Sequence, residues 1–62
     1  MEKTLLIGRR IRMNHMDDML PVPDGMEGII TGVDDIGQIQ VQWDDGRTLS
    51  VIDEIDDYEI LD

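Results

Sequence analysis

Between residues 38 and 51 the chain alternates with a period of two. Gln38, Gln40 and Gln42 are interleaved with Ile39, Val41 and Trp43, and after Asp44, Asp45 and Gly46 the residues Leu49 and Val51 alternate with Thr48 and Ser50. That period places all apolar members of a strand on one face. Two hairpin registers compete. A two-residue loop at Asp45 and Gly46 sets Val41 opposite Ser50 and Gln42 opposite Leu49, mixing polar and apolar residues on both faces. A three-residue loop of Asp44, Asp45 and Gly46 sets Val41 opposite Leu49, Ile39 opposite Val51, Gln42 opposite Thr48 and Gln40 opposite Ser50, so every apolar residue shares one face. Gly46 supplies the left-handed residue that closes such a loop. The same register sets Arg47 opposite Trp43, where its stem covers the indole and its guanidinium stacks on the ring. Asp44-Asp45-Gly46 therefore reads as a turn before it reads as a metal or catalytic site.

Five glycines and two prolines interrupt the rest of the chain too often for a helix of ordinary length. Short strands are predicted over 8–13, 26–33, 38–43, 47–52 and 58–61, with a short helical turn at 53–57. Residues 14–25, with Pro21, Pro23 and Asp24-Gly25, form the longest irregular segment, and long loops on small scaffolds often carry function. Gly32 invites a bulge in the second strand, which leaves open whether Ile29 or Ile30 points inward. The fold class is all-β: a small SH3-like barrel of about five short antiparallel strands with one helical turn before the last. One domain spans 1–62, with residues 1–6 as a disordered N-terminal lead.

Length and composition narrow this further. A 62-residue chain buries only about 60% of the surface it exposes unfolded, so the core is small. Without cysteine, and with one histidine, neither a disulfide nor a thiolate or multi-histidine zinc site is available to staple it. Aromatic residues number two, Trp43 and Tyr58, and five methionines fill out the apolar set. No apolar run approaches the roughly 18 residues of a membrane span, and MEKTLLIGRR lacks the features of a signal peptide, so the expectation is a soluble, cytoplasmic protein.

Charge changes the picture most. Residues 1–13 carry Lys3, Arg9, Arg10 and Arg12 against Glu2, a net +3, while residues 14–62 carry fourteen acids against Arg47, a net −13. The total of −10 repels phosphate backbones and argues against direct nucleic-acid binding. The bland function of such acidity is solubility. The three arginines lack interleaved aromatics and read as partners for the protein's own acids, or as guards on an edge strand.

Candidate chemistry is sparse. The pairs Asp17-Asp18, Asp34-Asp35 and Asp56-Asp57 do not fit calcium-loop spacing, and adjacent strand residues face opposite ways, so no metal site is assigned. His15 lies near Asp17 and Asp18, but no nucleophile or phosphate-loop motif accompanies it, and Ser50 has no evident base. No catalytic residue and no cofactor are expected.

The stretches GRRIRM and PDGMEGIITGVDDIGQIQVQWDDGRTLSVI resemble the family of small phage and mobile-element proteins known as domain of unknown function 4314. The resemblance covers about residues 7–61. It implies an SH3-like fold and a phage or mobile-element source, and it supplies no activity or catalytic residues. Family members often have an aromatic residue in the first long loop, where this chain has Met16, Met19 and Leu20, so an aromatic groove for proline-rich peptides is not expected.

These observations point to a non-catalytic module that binds a protein partner through its long loop and acidic surface. The contact residues expected are Met16, Asp17, Asp18, Met19 and Leu20, because methionines flanked by acids make an adaptable contact. Trp43, Asp44, Asp45 and Arg47 form a secondary surface. Two alternatives stand beside this reading: an inhibitor that imitates nucleic acid and blocks a host defence or DNA-handling protein, and a homo-oligomeric structural or assembly component.

Overall fold

A computed structural model describes residues 3–61. Four antiparallel strands, β1 (Arg10–His15), β2 (Glu27–Val33), β3 (Ile39–Trp43) and β4 (Asp57–Leu61), form one open sheet in the order β3-β2-β1-β4. A 3-10 helix at Lys3–Leu6 precedes them, within the stretch expected to lack structure; residues 1 and 2 lie outside the described residues. The all-β expectation holds, with four strands rather than five.

The missing strand has a local cause. Segment 47–51 runs beside β3 in the register that the alternation predicts, since the Trp43 amide donates to the Arg47 carbonyl at 2.8 Å and Ile39 and Val51 exchange bonds at 3.0 and 2.8 Å. Midway, the Leu49 carbonyl accepts from Trp43 Nε1 at 2.7 Å and makes no bond to Val41. The Leu49 carbonyl is thus directed at the indole rather than at Val41, and only the bridge at Val51 survives. Gly46 closes the loop at φ 95°, donating to the Trp43 carbonyl at 3.0 Å.

The β2–β3 connection repeats this turn. The Asp34 amide donates to the Gln38 carbonyl at 3.0 Å, the Gly37 amide to the Asp34 carbonyl at 3.1 Å, and Gly37 has φ 86°. Asp34 Oδ1 also accepts from the amides of Ile36 and Gln38. One aspartate-rich three-residue hairpin design therefore serves twice.

Alternation sorts the sheet into two faces. Ile11, Met13, Ile30, Ile39, Val41 and Trp43 point inward and join Met16, Val22 and Val51 in one core. Each large buried side chain contributes roughly 1.5–3 kcal/mol of transfer free energy. Register shifts between Ile30 and Gly32, and it is Ile30 that is buried while Ile29 faces outward. Gly28, opposite Trp43, sits where a Cβ would lie 2.7 Å from the Gln42 carbonyl oxygen and 2.8 Å from Val41 Cγ1. Its lack of a side chain lets β3 close over the core.

The arginine strip is internal, which corrects the edge-strand reading: β1 lies between β2 and β4. On the outer face Arg10 bonds Glu27 at 3.1 Å and Asp44 at 2.8 Å, and Arg12 pairs with Glu59 directly across the β1–β4 ladder. The hydrogen bond from Arg10, against a smaller desolvation, holds Asp44 below the usual carboxylate range. These exposed pairs are individually weak.

Candidate functional site: the long loop and its neighbouring hairpin

The long loop leaves β1 at His15 and returns at β2, and its ends are fixed by the core. Met16 is 4% exposed, Val22 is fully buried, and the Val22 amide donates to Met16 Sδ at 3.4 Å. The Gly25 amide donates to the Met13 carbonyl at 2.6 Å and the Met26 amide to Pro23 at 3.1 Å, so the proline-containing half folds back on β1. Gly25 reaches φ 86° to do so.

Asp56 holds the loop's first turn. It is 8% exposed, its Oδ1 accepts from the Asp17 amide at 3.1 Å and its Oδ2 from the Ile52 amide at 2.9 Å. One carboxylate thereby satisfies two backbone donors from segments far apart in sequence. In the sequence Asp56 looked like half of an acidic pair. No local signal in the sequence separates it from the exposed Asp57 that follows.

The remaining turn is set by Asp18, whose Oδ1 accepts from the Leu20 amide at 3.1 Å. Arg47 reaches across from the 44–46 hairpin, and its Nη1 donates to the Leu20 carbonyl at 3.1 Å. Its Nε bonds Asp45 Oδ2 at 3.0 Å. Asp45 is held below its ordinary pKa first by the Arg47 backbone amide and then by the guanidinium. The guanidinium is thus committed to Asp45 and Leu20 and does not stack on the indole, as the alternation had suggested.

Sequence reasoning named two patches, and Arg47 joins them. Met19, 96% exposed, and Leu20, 77% exposed, project from the loop, with Asp17 and Asp18 exposed before them. Leu20, Gly46, Arg47, Thr48 and Leu49 line an open hollow of about 500 Å³. Two named residues lie elsewhere. Met16 and Trp43, the latter 1% exposed, are core residues and offer no side chain to a partner. Asp44 faces Arg10 on the outer face of the sheet.

Among the described residues, Asp17, Asp18, Asp34, Asp35, Glu54 and Asp57 make no ion pair. His15 lies 3.7 Å from Asp24 with both side chains well exposed. No group of three or more potential metal ligands occurs among the described residues.

A second cluster ties the N-terminal helix to the opposite side. Lys3 Nζ bonds Asp53 Oδ2 and the Gly37 carbonyl, each at 2.8 Å, and the Tyr58 hydroxyl donates to Asp53 Oδ1 at 2.7 Å. Burial first, and then the bond to Asp53, pushes the Tyr58 phenol up to about 12. Burial alone raises Asp53, but the bonds from Lys3 and Tyr58 and the lysine charge outweigh it and leave the carboxyl below its ordinary value. No sequence motif announced this cluster.

The fold and site together define a small all-β domain whose exposed apolar loop tip is braced by a neighbouring hairpin. The family model described as Domain of unknown function (DUF4314) matches residues 1–61, and the chain belongs to that family. No curated protein and no solved structure matches it. Among the described residues, no helix is long and apolar enough to cross a membrane.

Proposed function

We propose that this protein is a non-catalytic interaction module that binds a protein partner through Met19 and Leu20 and the adjoining Leu20–Leu49 hollow. The observation that carries this reading is the exposure of two consecutive large apolar side chains on a loop that Asp56 and Arg47 anchor from two sides and Asp18 pins from within. Exposed apolar residues on a fixed backbone cost little ordering entropy when a partner covers them. Asp17 and Asp18 precede them without ion pairs, and with the net charge of −10 they favour encounter with a basic surface.

The SH3-like reading of the fold belongs to the same proposal. Segment 47–51, bonded to β3 at both ends, takes the place of the fifth strand. A cytoplasmic location and a phage or mobile-element source are proposed with it, on the apolar pattern and on family resemblance.

The test is capture of partners from a cell lysate by the wild type and by the Met19→Ser/Leu20→Ser variant, which has the same charge. Selective loss of one captured protein in the variant supports the proposal. Identical captured sets for both proteins, or capture abolished by added DNA in both, contradict it and shift the explanation to charge alone.

A further inference from the structure

β4 is an edge strand, and among the described residues no strand pairs with its outer edge. The direction of each backbone group follows from the ladder. Met13 donates to the Met26 carbonyl and Arg9 accepts from Ile30, so the odd residues of β1 bond toward β2. Arg10 and Arg12 therefore bond toward β4, opposite Leu61 and Glu59. The amides and carbonyls of Tyr58 and Ile60 consequently point away from the sheet, and no backbone partner meets them among the described residues. The other side of the sheet differs, since segment 47–51 covers β3 at both ends.

The side chains along this edge select what can join it. On the inner face, Tyr58 and Ile60 are only partly buried and continue the core to the edge. On the outer face, Asp57 is exposed without an ion pair, and Glu59, although bonded to Arg12, keeps 47% of its side chain exposed. Antiparallel pairing of two copies centred on Glu59 sets Glu59 against Glu59 and joins two chains of charge −10, which opposes self-association through this edge. A foreign strand with apolar residues on one face and lysine or arginine on the other meets neither obstacle.

We propose that the free edge of β4 takes up an extended, basic, alternating segment of a partner protein by strand addition. Main-chain bonds to Tyr58 and Ile60 supply register, and basic side chains beside Asp57 and Glu59 supply selectivity. This surface is separate from the loop tip of the proposed function and does not depend on it.

The probe is a synthetic seven-residue peptide of alternating lysine and valine with blocked ends, titrated into the full chain while backbone amides are followed by NMR. Its counterpart is the same peptide with alternate backbone nitrogens methylated on one edge, which removes donors and keeps the charge. The expected result is slowed exchange of the Tyr58 and Ile60 amides, with binding at least tenfold weaker for the methylated peptide. Equal binding of the two peptides, protection confined to other residues, or no binding overturns the proposal. Protection of the same amides in concentrated protein alone also overturns it, because the occupant is then a second copy.

Discussion

Arg47 Nη1 donates to the Leu20 carbonyl at 3.1 Å, joining two turns that lie 27 residues apart in the chain. The bond fixes the loop's backbone without using the Leu20 side chain, which stays exposed. A guanidinium is suited to this work because its fork also engages Asp45 from the other side.

Replacing Arg47 with methionine is therefore expected to leave the thermal midpoint nearly unchanged while loosening the loop. Hydrogen exchange at Met19, Leu20 and their neighbours is the measurement, and faster exchange confined to that loop is the expected outcome. Unaltered exchange there refutes the bracing role.

Trp43 has a different duty. Its ring fills the core and its Nε1 bonds the Leu49 carbonyl at 2.7 Å. The Trp43→Phe change leaves that acceptor without its donor and is expected to cost about 1–3 kcal/mol in urea unfolding. Trp43→Ala adds a cavity and is expected to cost about 3–5 kcal/mol.

Gly28 tests the packing of β2 against β3. An added methyl meets the Gln42 carbonyl oxygen at 2.7 Å, and backbone cannot step aside as a flexible side chain does. Gly28→Ala is expected to destabilise by about 1–3 kcal/mol. Gly46→Ala has open space around it but a φ of 95°, and its loss is expected to be about 1 kcal/mol, from backbone strain alone.

Tyr58 is the chain's one tyrosine, so absorbance of the phenolate reports it directly. In the folded protein it is expected to titrate near 12, and in denaturant near the ordinary value of about 10. Because the folded value is the higher, the stabilisation from this hydroxyl is complete below about pH 10 and is lost as pH rises toward about 12. Asp53 runs the other way: its folded value is depressed, so its contribution is present above the ordinary carboxyl value of 3.8 and is lost as pH falls through the folded value. Asp53→Asn is expected to lower the Tyr58 titration point without restoring it fully, since burial is the larger cause. An unmoved titration point contradicts the cluster.

Much of this architecture was legible in the chain. The alternation from Gln38 to Val51 specified the hairpin register, and the bonds at both of its ends agree. The strand assignment for 47–52 failed because periodicity sees which face a residue occupies and not whether its carbonyl is taken by an indole. Ile29 and Ile30 were indistinguishable because the register shift between Ile30 and Gly32 interrupts parity. Placing the arginines on an edge failed for another reason: strand order is set by long-range pairing, which local sequence does not encode. Of the candidate site, the exposure of Asp17, Asp18, Met19 and Leu20 was legible. Met16 and Trp43 went to the core because a chain with two aromatics has few large side chains to fill it. Asp56 was hidden, since a buried carboxylate bonding two amides looks identical in sequence to a solvated one.

The central claim is that the loop tip carries the partner. A photo-crosslinking amino acid placed at Leu20 is compared with one placed at Ile36, which is 80% exposed in the β2–β3 turn and serves as the control. The account predicts that Leu20 crosslinks one protein in cells, that Ile36 does not, and that excess wild-type protein suppresses the product while Met19→Ser/Leu20→Ser does not. Equal crosslinking from both positions, or none from Leu20, contradicts it.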